Sequence, residues 1–241
     1  MKRFLPLLLL APCVALADVD SLLPSDLGLG VKVRQSPFVG GDSETSVTFT
    51  GTDRDGFDIS GPAWSFSKSD TQRLYLGAGL DEWDHERGDS EQLRDMHELD
   101  RAINLRVGAA WKLASGVVNA EVGQDVAAHK GAQAKARYTL NSLSEQVSLR
   151  PYVEGQWLSS DLTDYYVGVD ADEAKAGRPA YQADDGLALK AGIRLEKPLT
   201  GKWALVGEVD ATRYDAAITD SPIVEKGTLW GGKLGLSYQW R

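Results

Sequence analysis

Few residues in this chain have the chemistry for catalysis or metal binding, and their spacing suits neither. The three histidines, His85, His97 and His129, all fall between the hydrophobic runs rather than within them. Two of them sit in "DEWDHERGDSEQLRDMHELD", residues 81–100, together with Ser90 and a surplus of carboxylates. A hydrolase would need a histidine held in fixed geometry beside a nucleophile and an orienting acid. No Gly-x-Ser-x-Gly turn surrounds Ser90, and a stretch so charged reads as a mobile, solvated loop. Its carboxylates suit hard cations and could bridge them to lipid phosphates, but the spacing of an EF-hand is absent. A P-loop and a dinucleotide fingerprint are absent too. The sequence therefore implies no catalytic residue, no cofactor and no metal site.

Most other charges recur at alternate positions of apolar rows. From Ile103 to Leu113, one face carries Ile103, Leu105, Val107, Ala109, Trp111 and Leu113, and the other Asn104, Arg106, Gly108, Ala110 and Lys112. The same period of two runs through 134–140, 187–196, 203–212 and 230–240, and less regularly through 27–33, 47–50, 57–66, 74–80, 117–126 and 147–157. Stretches of about ten alternating residues divided by turn residues predict an all-β, antiparallel, up-and-down transmembrane β-barrel. A soluble barrel would alternate likewise, with its apolar face inward. The aromatics near the ends of the apolar rows, Trp111, Tyr138, Trp157, Trp203, Trp230 and Trp240, favour the membrane, because aromatic rings gather at the two interfaces. Tyr238 and Trp240 near the C-terminus form the expected barrel assembly signal.

The N-terminus agrees. Lys2 and Arg3, the apolar run Phe4 to Ala17 and the small residues Ala15 and Ala17 read as a signal peptide over residues 1–17, cleaved after Ala17, with the barrel spanning 18–241. A lipoprotein signal ending at Cys13 is disfavoured by Pro12. Cys13 is the only cysteine, so the exported chain has no disulfide and no thiol chemistry. The formal charge of -9 argues against nucleic acid as a partner and leaves outer-membrane lipid as the expected surroundings. No run of about 20 apolar residues follows the signal, so no helix crosses the bilayer.

The connections sort by length. Residues 113–116, 141–146 and 198–202 are short turns, whereas 81–100, 159–185 and 214–228 are long and polar, and all three long segments are expected at the outer mouth. Eleven strand candidates and the even parity of single-chain bacterial barrels predict twelve strands, with ten as the alternative. Inward positions carry both signs of charge, among them Arg106, Glu121, Lys135, Arg137, Glu154, Lys190, Arg194, Glu208 and Lys233. In so narrow a lumen they should pair and block it; the other reading is a small-solute channel.

Two segments resemble the MipA/OmpV family of outer-membrane proteins. One is "YYVGVDADEAKAGRPAYQADDGL", where the family pattern falls on Tyr165, Tyr166, Gly168, Val169, Gly177, Pro179 and Tyr181; the other is "DSPIVEKG", with Ser221, Pro222, Ile223 and Val224. "SPFVGGD", residues 36–42, resembles the family more loosely. The resemblance implies a non-enzymatic barrel of the Gram-negative outer membrane that scaffolds a lytic transglycosylase and a penicillin-binding protein in peptidoglycan synthesis. Gly177 and Pro179 also predict that 165–186 folds over the barrel mouth, with Tyr165, Tyr166 and Tyr181 beneath it.

Overall fold

The computed structural model describes residues 26–50, 56, 57, 59, 63–80, 83, 85, 87–144 and 146–239. The expected signal segment 1–17 and Trp240 lie outside them. Where side-chain polarity alternates, the chain forms strands: β1 (Asp26–Arg34), β2 (Glu44–Thr50), β3 (Ala63–Lys68), β4 (Gln72–Leu80), β5 (Ile103–Leu113), β6 (Gly116–Asp125), β7 (Ala132–Leu140), β8 (Ser148–Leu158), β9 (Gly186–Pro198), β10 (Trp203–Tyr214) and β11 (Thr228–Gln239). Two short helices, α1 (Ser160–Val167) and α2 (Ala216–Thr219), lie in the connections.

All the strands belong to one antiparallel, up-and-down sheet. From β3 to β11 each strand pairs with its sequence neighbour, and β1 returns to β11 along nine register pairs from Asp26↔Gln239 to Arg34↔Gly231. That return joins the first strands of the barrel wall to the last, so that the chain's two ends meet in one sheet. Pro151, which cannot donate to a ladder, pairs with Ile193 of β9, and the β7 ladder ends one residue further on at Thr139↔Tyr152.

The expectation of twelve strands, or ten, gives way to eleven among the described residues. The physical reason lies at the edges. Because every pairing is antiparallel, β2 and β3 run in the same direction and cannot be antiparallel partners; they are the two edges of the described sheet. Of the strand expected over 57–66, the described residues form Ala63–Lys68. Phe57 is buried in the interior instead, with the Arg73 guanidinium 4.6 Å and the Lys112 ammonium 4.3 Å from its ring centre. Its carbonyl accepts a 3.4 Å hydrogen bond from Asn119. Cations over an aromatic face hold that ring against a polar wall.

The two faces separate as the alternation requires. On β11, Trp230, Leu234, Leu236 and Tyr238 are exposed, while Leu229 and Ser237 are buried. Leu27, Leu29, Val31, Leu105, Val153, Leu189 and Val209 continue the exposed apolar belt on other strands. An exposed band of this extent suits lipid, not water. Rings mark its lower margin, with Trp203 and Tyr238 at 4.9 Å between centroids across the β10–β11 pair.

Candidate functional site: a charge-paired lumen under a built cap

Inside the barrel the charges form a repeating unit. Glu121 on β6 faces Arg106 at 3.1 Å and Lys135 at 3.5 Å, from the strands on either side. Glu154 on β8 faces Arg137 at 2.7 Å and Lys190 at 3.8 Å. Glu208 on β10 faces Arg194 at 3.1 Å and Lys233 at 2.8 Å. Each carboxylate is thus flanked by an arginine and a lysine on neighbouring strands. Two tyrosines tie into the belt: Tyr75 donates to Glu121 at 3.0 Å and to Asn119 at 2.8 Å, and Tyr152 donates to Glu208 at 2.5 Å.

Two glycines make room for these rings. A Cβ on Gly108 would lie 2.3 Å from the Tyr75 ring, and one on Gly192 would lie 2.7 Å from the Tyr152 ring. Each tyrosine faces its glycine directly across a strand pair, so a ring fills the space a side chain would take. With the inward charges paired in this way, planar-bilayer recording of the wild-type barrel should show no large, stable single-channel steps.

The long connections meet at one end, the outer one by the rule that long loops face away from the periplasm. They do not remain separate. The buried apolar residues Phe38, Leu93, Met96, Leu158, Leu162, Tyr166, Val167, Val169, Ala183, Ile218 and Ile223 form one cluster drawn from five parts of the chain. The two family-like segments touch: Ser221 donates through Oγ to the Val167 carbonyl at 2.5 Å, and Tyr181 donates through its hydroxyl to the Ala217 carbonyl at 3.0 Å. The 36–42 segment joins them by a Phe38↔Val224 bridge and a 2.9 Å bond from the Val39 amide to the Ile223 carbonyl. Val169 bridges Tyr181, and Gly177, at φ 84°, turns the chain so that Lys175 and Arg178 pair. Pro222 is half-buried and Pro179 exposed. Trp83 stacks on Tyr166 at 5.1 Å, and Tyr165 meets Tyr166 edge-on at 5.2 Å.

Two arginines hold the cap, and the sequence reading singled out neither. Arg87 reaches from the 81–100 segment to the end of α1, donating to the carbonyls of Tyr165 and Gly168 at 3.0 Å and of Tyr166 at 3.3 Å. A cation there satisfies the last carbonyls of a helix and its dipole. Burial pulls the Arg87 guanidinium below its usual value, while Glu173 at 3.6 Å favours the charge. Arg178, itself buried, makes a forked pair with Asp95 at 3.0 and 2.8 Å. Their local sequence offered one hint, since both stand among Asp and Glu in loops otherwise short of cations.

Residues 87–100 are therefore part of a packed cap and not a mobile loop. Ser90 is buried and donates to the Val39 carbonyl at 2.5 Å, and His85 lies edge-on to Trp83, so neither stands free as a nucleophile and base. His129 is buried beside Tyr165 and Tyr166 and accepts from the Gly131 amide at 2.9 Å. His97 is exposed and lies with Asp170 and Glu173 such that one ligand atom from each falls within 4.8 Å of the others. Burial pushes the Tyr165 and Tyr181 phenols up, which keeps them neutral hydrogen-bond donors.

Hydrogen bonds from Arg178 and then Lys175 hold the Asp95 carboxyl well below the usual range. A depressed folded-state value means that this contribution is present above the ordinary carboxylate value of about 3.9 and is lost as pH falls from there. Protease resistance of the 87–100 segment should accordingly be flat from neutral pH down to about pH 4 and decline below it. In Arg178→Ala the segment should be cleaved at neutral pH as well.

The family model of the MltA-interacting protein MipA matches residues 27–240. Outer membrane protein Omp26La of Vibrio anguillarum is 28% identical over 147 residues, 61% of this chain and 57% of the relative. The MltA-interacting protein of Escherichia coli strain K12 is 30% identical over 107 residues, 43% of this chain and 41% of the relative. The putative outer membrane protein YiaT of Escherichia coli O157:H7 is 22% identical over 248 residues, covering 100% of this chain and 99% of that one. The first of these matches spans little more than half the length of the relative. A family match over almost every described strand, together with a membrane-facing apolar belt, places the chain among outer-membrane barrels: it belongs to the MltA-interacting protein MipA family.

Proposed function

We propose that this outer-membrane barrel is a non-enzymatic scaffold whose periplasmic end docks enzymes of peptidoglycan turnover. The observation that carries the reading is the paired interior: among the described residues, three Glu-centred ion clusters and two buried tyrosines occupy the lumen in structural contacts, which supports the barrel's surfaces as what it offers to partners. One relative is named MltA-interacting protein, which supports a lytic transglycosylase as a partner; a penicillin-binding protein is proposed as the second. The short turns at 69–71, 114–115, 141–147 and 199–202 lie at the end nearest the cell wall in this orientation. Export rests on residues 1–17, with cleavage after Ala17, which N-terminal sequencing of the membrane-extracted protein checks.

The test is co-purification. The folded barrel in detergent micelles, immobilised through a tag, is mixed with a purified lytic transglycosylase and a purified penicillin-binding protein from the same organism. Retention of the transglycosylase, reduced when the 141–147 turn is replaced by glycine and serine, supports docking at the short-turn end. Passage of both enzymes through the column unretained sinks the reading.

A further inference from the structure

We propose that His97, Asp170 and Glu173 form a divalent transition-metal site that staples two segments of the cap together. The three residues come from connections separated by more than seventy positions, so no spacing motif could reveal them. One ligand atom from each lies within 4.8 Å of the others, and His97 Nδ1 is 3.3 Å from Glu173 Oε1. Two ligands about 2.1 Å from a common ion at a tetrahedral angle stand about 3.4 Å apart, so the imidazole and the carboxylate already have the separation of neighbouring ligands.

Glu173 is also prepared for the role. Its side chain is only 4% exposed, and it is oriented by the Arg87 guanidinium at 3.6 Å, the His97 amide at 2.8 Å and the Asp170 amide at 3.3 Å. Ligating carboxylates are commonly held by such an outer layer of donors. His97, by contrast, is 65% exposed, which gives an ion a path from solvent. Asp172, 3.7 Å from His97 Nε2, adds a further carboxylate at the rim.

An imidazole with two carboxylates sets the class of ion. Calcium takes six to eight oxygen ligands, and magnesium keeps most of its water, whereas one nitrogen and two oxygens with water in the remaining position suit zinc or manganese. The Arg87 charge does not prevent this, since Asp170, Asp172 and Glu173 bring three negative charges to one cation. A bound ion would join the 97–100 segment to the 170–173 turn at the point where Arg87 and Arg178 already hold the two together.

Zinc chloride titrated calorimetrically into the chelator-treated, folded barrel in detergent micelles tests this. One equivalent should bind, His97→Ala should weaken binding at least about tenfold, and Asp170→Asn should weaken it as well. Amide exchange should slow in 97–100 and 170–173 on zinc addition in the wild type only. Calcium at the same concentration should neither bind nor compete. The heat-modifiable mobility of each variant reports its folding, and exposed His97 can be replaced without disturbing the buried cluster. The proposal is overturned by equal zinc binding in wild type and His97→Ala, by no binding at about 1 mM zinc, or by equal competition from calcium.

Discussion

Replacing Arg137 with methionine is expected to lower the stability of the folded barrel by about 3 to 5 kcal/mol, the usual cost of removing one partner from a buried ion pair. Glu154 is only 2% exposed, and both Nε and Nη2 of Arg137 lie 2.7 Å from its Oε2. Without the guanidinium, that carboxylate is left facing Lys190 at 3.8 Å. The ring of Tyr152, 4.5 Å from the Arg137 guanidinium carbon, also loses the nearer of its two cations and keeps Arg194 at 5.5 Å. Urea titration of the barrel in lipid vesicles gives the measurement. The decisive comparison is the double variant Arg137→Met with Glu154→Leu, which removes both charges and should recover most of the loss. If the two changes simply add, the pair is not what holds this part of the lumen.

Leu236→Arg is expected to cost about 2 to 4 kcal/mol, the penalty for a cation on the lipid face of a barrel near the bilayer midplane. Leu236 is 45% exposed in the middle of the β11 row, paired with Leu29 on one side and Leu205 on the other. Leu236→Ala leaves the position apolar and should cost much less. Ser237, one residue away, is no neutral control, because it is only 2% exposed and an arginine there would meet a packed interior. Folding into vesicles, followed by gel mobility, checks both variants. Equal behaviour of Leu236→Arg and Leu236→Ala would show that this row does not face hydrocarbon, and monomeric wild-type protein in detergent-free buffer would show the same of the whole belt.

The strand pattern was legible because burial in a barrel wall is a one-residue matter. Each side chain faces either lipid or interior, and polarity records the choice position by position, as Leu234, Leu236 and Tyr238 against Lys233 and Ser237 show. The edges were less legible. From Glu44 to Lys68 the rows are short, and Phe57, expected at the start of a strand, has its ring in the interior, where cations from β4 and β5 hold it. Those cations are remote in sequence, so local polarity could not report them.

The alternation of polarity specifies the wall: an antiparallel barrel with an apolar exterior, mixed charges within and long connections at one mouth. What those parts do to one another is set by the folded chain. It matched Glu121, Glu154 and Glu208 each with an Arg and a Lys from adjacent strands, because register, and not composition, sets which residues face each other across a pair. It also turned the 36–42, 81–100, 165–186 and 220–227 segments into one cap, bringing Ser221 to Val167, Arg87 to the end of α1 and His97 to Glu173. Contacts of that kind depend on where the barrel places the ends of its strands in space. The alternation that specifies the strands carries no information about them.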